Sequence, residues 1–213
     1  MSRIVVLHDL GDHTGGAPWV AALEACGLSE VVAPDLPGHG SAEAPVGGNY
    51  VRADAGYLLA GLLDDGLVGA DSVLVGVGHS GWIATVAAVG GHVGAIVLVD
   101  GLGRPWRPVD ERLERRRRRT RELLADEAAM AVHDGPGPDP RLRYVLDPHG
   151  DHALAVEAAS LVRVPTLVIE ENLDDLTEVH AAFAGSVTMT RSARDARSVA
   201  GHIADWVAST PLG

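Results

Sequence analysis

The chain alternates short aliphatic runs with longer stretches whose apolar positions recur every three or four residues. Arg3 to Leu7, the start of Glu30 to Ser41, Val73 to Val77, Val93 to Val99, Val164 to Ile169 and Ser186 to Thr190 read as strands. Most of these are continuous apolar runs, the signature of parallel strands covered on both faces. Between them, helices are expected from near Trp19, over Tyr50 to Leu67, from Trp82 onward, and across Val199, Ile203, Trp206 and Val207. Strand and helix in alternation predict α/β class: a mostly parallel central sheet with helices on both faces, a three-layer α/β/α sandwich. In such sheets reactive groups gather at the carboxyl ends of strands, where His8, Ser80 and Asp100 all fall.

The stretch Ser72 to Ala88 concentrates the chemistry. An apolar strand breaks at Gly78-His79-Ser80-Gly81 and resumes at helical spacing with Trp82, Ile83, Val86 and Ala87. Strand, tight turn with a serine at its tip, helix: that is the arrangement that lifts a serine oxygen above a sheet edge. Glycines on either side suit a turn where side chains would clash with neighbouring backbone. A second run, Asp35-Leu36-Pro37-Gly38-His39-Gly40-Ser41, has the proline and glycines of a fixed turn, so His39 reads as a turn residue. A third, Val164-Pro165-Thr166-Leu167-Val168-Ile169, is a strand followed by the acidic pair Asp174 and Asp175.

These three runs, in this order, resemble the α/β-hydrolase fold family over nearly the whole chain. The resemblance implies one domain, 1–213, with a short cap or lid inserted at about 101–162. It also implies a serine hydrolase acting on an ester, thioester or related acyl group. Ser80 would attack, His202 would take its proton, and Asp174 would orient the imidazole. The backbone N–H groups of Leu10 and Gly81 would hold the oxyanion, with His79, Trp82 and Trp106 around a compact apolar or aromatic substrate. Neither a cofactor nor a metal is implied.

The sequence departs from the family pattern in four places, one of them Glu171, where a glycine usually follows the strand at Pro165. The last glycine of Gly-x-Ser-x-Gly is Trp82, Asp9 stands where a glycine is usual, and the loop Arg191 to Arg197 lacks the histidine expected after the last strand. His202 is the candidate base in two competing registers. A helix starting near Ser192 puts it in mid-helix, whereas one starting after Gly201 puts it in the loop above the sheet. These departures support an alternative in which the fold is kept and the triad is degenerate. The protein would then be a non-hydrolytic lyase or cyclase, or a small-molecule binding protein.

Composition narrows the partners. The 213 residues carry a net charge of −12, which opposes nucleic-acid binding by the body of the protein. All 17 basic residues are arginine, which excludes Schiff-base chemistry. Cys26 is the single cysteine, so no intramolecular disulfide forms. The absence of a long apolar run or a leader pattern makes a cytoplasmic protein with no membrane partner the expectation. Charge is unevenly distributed, however: Arg104 to Arg121 holds nine arginines against Asp110, Glu111 and Glu114. A solvated helical face explains that run simply. The sharper alternative is a docking patch for an anionic substrate or an acidic carrier domain.

Overall fold

A computed structural model describes residues 2–12, 14–44, 55–101, 108–131, 138–142, 152–172 and 178–211. Six strands form one sheet: β1 (Ile4–Leu7), β2 (Val31–Val32), β3 (Val73–Val77), β4 (Ala95–Val99), β5 (Thr166–Glu170) and β6 (Val187–Arg191). Their order is β2-β1-β3-β4-β5-β6, and every neighbouring pair is parallel. The expected three layers are present, with strand ends within one or two residues of the sequence pattern.

Alternation along each strand sorts the core into two halves. Ile4, Val6, Val73, Val75, Val77, Val97 and Val99 face α1 (Ala17–Ala25) and the C-terminal helix α8 (Ala196–Ser209), meeting Trp19, Leu23, Val199, Ile203 and Trp206. Val5, Leu7, Leu74, Ile96, Leu98 and Val168 face the opposite layer. That layer contains α2 (Ala55–Asp64), α3 (Gly81–Val89), α6 (His152–Leu161) and α7 (Glu178–Ala181). Because β3 and β4 are buried on both faces, they carry no polar side chain within their spans. Between β4 and α6 lie α4 (Val109–Ala125) and the short α5 (Glu127–Met130). None of the described helices is long and apolar enough to cross a membrane.

The C-terminal helix α8 keeps the register that puts His202 in mid-helix, although it starts four residues later than Ser192. Asp195, in extended conformation, caps the helix by accepting from the Ser198 N–H at 3.0 Å, and the Ser198 hydroxyl donates to it at 2.6 Å. The helix therefore begins at Ala196, and His202 lies in its middle. Gly201 is tolerated in the helix interior there, where the apolar face of α8 is pinned to the sheet.

Candidate functional site

The turn after β3 is built from its glycines outward. Gly76, inside the strand, lies so close to the turn that a β-carbon would meet Gly81 Cα and the Ser80 carbonyl at 2.6 Å. Gly78, the first residue after the strand, has φ +55°, a conformation open to glycine and costly for most other residues. The chain then closes a single 3₁₀ turn over Gly78–Ser80 and enters α3.

The tip of the turn is thus Gly78, two residues before the serine. Ser80 has φ −68° and ψ −11°, ordinary right-handed helical values. Its side chain is fully buried, and its hydroxyl donates to the His8 carbonyl at 2.6 Å. The expected exposed serine is instead a buried connector between the end of β1 and the start of α3. Gly81, assigned above as an oxyanion donor, spends its N–H inside the turn on the Gly78 and His79 carbonyls. The N–H that points outward at the tip belongs to His79.

That N–H is already occupied. Asp9, just past β1, accepts it on Oδ1 at 2.8 Å. The other Asp9 oxygen accepts from Nη2 of Arg194, in the loop between β6 and α8. Nη1 of the same guanidinium lies 3.2 Å from Oδ2 of Asp100, at the end of β4. Asp100 has φ +49°, a left-handed conformation that aspartate tolerates better than bulkier residues. A β-carbon on Gly78 would meet Arg194 Nη2 and Asp9 Oδ1 at 2.5 Å. The carboxylate and the guanidinium therefore fill the space of the side chain that Gly78 lacks.

The other anticipated residues are dispersed. His202 is exposed on α8, and no hydrogen bond among the described residues joins it to Ser80. Asp174, its neighbour Asp175, and Trp106 lie outside the described residues. Trp82 is half-buried against the core on the α3 side. Leu10 does reach the site, where it lines a cleft of about 520 Å³ with Asp9, Trp19, Val77, Arg194 and Asp195. Arg194 and Gly78 were not singled out from the sequence. Two signals pointed to them: Arg194 is a charged residue in the loop that lacks the expected histidine, and Gly78 directly follows the last β-branched residue of the strand.

Two buried histidines brace the loop that carries Asp9. The rings of His8 and His39 meet edge to face, with centroids 4.8 Å apart. His39 Nε2 accepts the Gly11 N–H at 2.7 Å, and His8 Nε2 accepts that of Leu36 at 3.3 Å. Those acceptor roles leave the proton on Nδ1, where His8 faces the Asp9 carbonyl and His39 those of Leu36 and Pro37. Burial, reinforced by the neighbouring His8, pushes the His39 pKa below its ordinary value. Close by, hydrogen bonds from Ser41 hold the Asp35 carboxyl below the usual carboxylate range.

The sequence profile of the Alpha/beta hydrolase family matches residues 4–211. The chain belongs to the alpha/beta hydrolase family. No curated protein matches the sequence. Among solved structures, the chain is similar to the thioesterase domain from the curacin biosynthetic pathway (TM-score 0.67, 14% identity), over 98% of this chain and 91% of that one. It is also similar to the enol-lactonase of Burkholderia xenovorans LB400 (TM-score 0.66, 19% identity), over 98% and 90% of the two chains. A thermophilic esterase from Thermogutta terrifontis matches with TM-score 0.67 and 18% identity over the same shares. At these identities the likeness concerns the fold. Within this hydrolase-family sheet, the strand-to-helix turn carries glycine at its tip and an Asp–Arg–Asp cluster above it.

Proposed function

We propose that the protein uses the cleft at the carboxyl ends of β1 and β3 to bind a small molecule without forming an acyl-serine intermediate. One observation carries this reading: the tip of the turn is Gly78, and Asp9 with Arg194 fills the space of the missing side chain. A nucleophile needs an exposed oxygen, a base within hydrogen-bond reach and unoccupied N–H donors for the oxyanion. Here the serine oxygen is buried on a carbonyl, and the tip N–H already holds a carboxylate. Arginine is no substitute for the absent histidine, since a guanidinium does not give up its proton in a protein. The cleft itself is of ligand size, with apolar walls at Leu10, Trp19 and Val77 and charged groups at Asp9, Arg194 and Asp195.

A serine hydrolase acting on a small acyl substrate through Ser80, His202 and Asp174 is the second reading. The family and the names of the similar structures favour it. It requires Ser80 to leave the His8 carbonyl and reach the surface. One experiment separates the two. The chain is treated with a fluorophosphonate probe and assayed on p-nitrophenyl acetate, wild type beside Ser80→Ala. The binding reading expects no labelled serine and the same background rate from both proteins. Labelling at Ser80, with turnover lost in Ser80→Ala, would establish the hydrolase instead.

A further inference from the structure

Most described residues of α4 are exposed, with Arg115, Arg119 and Leu123 partly buried, and one exposed face has an ordered charge pattern. Asp110, Leu113, Glu114, Arg117, Thr120 and Arg121 line an open groove of about 740 Å³. Their spacing of three and four residues places them in one row on the helix. Along that row the charges run acidic, acidic, basic, basic. Asp110 and Glu114 are like charges four residues apart, as are Arg117 and Arg121, and both arrangements disfavour the isolated helix. No ion pair among the described residues takes any of these four side chains, while Arg118 and Glu122 pair at 3.7 Å on another face. Leu113, in the same row, leaves 45% of its surface open to solvent.

From this pattern we infer that α4 is a self-docking surface, closed by α4 of a second copy running antiparallel across a two-fold axis. An axis between Arg115 and Arg116 sets Asp110 opposite Arg121 of the second copy and Glu114 opposite its Arg117. The two-fold repeats both pairs, so four like-charge conflicts become four opposite-charge contacts. Leu113 then lies between the stems of Arg117 and Arg121 of the copy, which cover its exposed surface. A parallel arrangement would place each charge against its own kind.

The charge of the whole molecule opposes self-association at long range, so the contact depends on the local pattern of α4. Within Val109–Ala125 there are seven arginines and four carboxylates, a net of +3. With a total of −12, the remainder of the chain carries −15 (−12 minus +3). Two copies that each carry −12 repel at long range whichever surfaces they bring together. The four opposite-charge contacts across α4 act at short range instead, where salt screens only part of their attraction.

Sedimentation velocity at roughly 100 µM protein and low salt tests this, since single-helix contacts fall in the small, weak interface class. The wild type should sediment as a dimer that dissociates as salt is raised. Asp110→Arg with Glu114→Arg makes the face wholly basic, and Arg117→Glu with Arg121→Glu makes it wholly acidic. Each double variant alone should be monomeric with an unchanged circular dichroism spectrum, at least tenfold weaker in self-association than the wild type. An equimolar mixture of the two should recover the dimer, since one all-positive row then meets one all-negative row. A monomeric wild type would overturn the inference, as would dimers of either variant alone or a mixture that stays monomeric. A monomeric wild type that binds polyglutamate through the same arginines would also overturn it, in favour of an acidic partner.

Discussion

Two turns meet beside the end of β1, and they kept different things. The turn at Asp35–Ser41 retains both the letters and the geometry of its pattern. Gly38 and Gly40 have φ +77° and +51°, Asp35 accepts both donors of Ser41, and His39 is buried on backbone partners. The turn at Gly78–Ser80 retains strand, sharp bend and helix, yet its chemistry-bearing serine sits two residues past the bend. Shape in both cases follows from where glycine supplies positive φ or close approach. Chemistry is more demanding, because it needs one particular side chain at one position of the bend. A Gly-His-Ser sequence can therefore survive in a turn whose tip is the glycine.

The sharpest way to break this contrast is to put a side chain on Gly78. Gly78→Ala must adopt a left-handed conformation and push into Asp9 and Arg194. The two effects together should lower stability by about 3 kcal/mol. Urea denaturation of the variant, alone and with Asp9→Gly, measures it. The second change should recover part of the loss, and a cost below about 0.5 kcal/mol for Gly78→Ala would show that the tip is not crowded.

The intact turn has an acid-side signature. His39 is neutral in the fold with its pKa lowered, so the unfolded chain takes up a proton that the folded chain refuses. That part of the stability is complete above the ordinary histidine value of 6.5 and is lost as pH falls from there toward the lowered value. Melting temperatures from pH 8 to pH 5 should decline through that window, and the decline should flatten in His39→Ala. Removing the ring also leaves the Gly11 N–H without its acceptor, at a cost of about 2 kcal/mol at neutral pH. An equal slope in both proteins would assign the acid sensitivity elsewhere.

Ser80→Ala removes one buried hydrogen bond to a carbonyl, for which about 1 kcal/mol is expected in equilibrium denaturation. A stabilised variant would mean that the hydroxyl is held there against its packing, as a functional group would be. Arg194→Gln should have the smallest effect, at most about 1 kcal/mol, because its ion pairs are partly exposed and screened. Raising salt should narrow the difference between this variant and the wild type. A loss several times larger would make the Asp9–Arg194–Asp100 cluster a main fastening of α8 to the sheet.

Much of this was legible in the sequence, and the reason is local. Val73 to Val77 could only be a doubly covered strand, and the turn glycines marked where the chain bends. The odd carboxylate at Asp9 and the histidine-free loop at Arg191 to Arg197 were both visible as departures. What they did together was not visible. His202 was placed by its Gly-His dipeptide, but the capping of α8 by Asp195 carried it into the helix and out to solvent. Ser80 was placed at the tip by its flanking glycines, although the strand ends one residue before Gly78, so the bend comes too early to expose the serine.

By itself the sequence determined the layers, the parallel sheet and the family, because these rest on periodicities repeated over many residues and survive an error of one or two positions. The tertiary structure alone decided the site. Asp9 binds a backbone N–H 70 residues away and a guanidinium 185 residues away, and no local pattern encodes either partner. A site is also intolerant of register: a shift of two residues puts Ser80 on the His8 carbonyl rather than at the tip of the bend. Strand ends are where local propensity is weakest and packing has the final say.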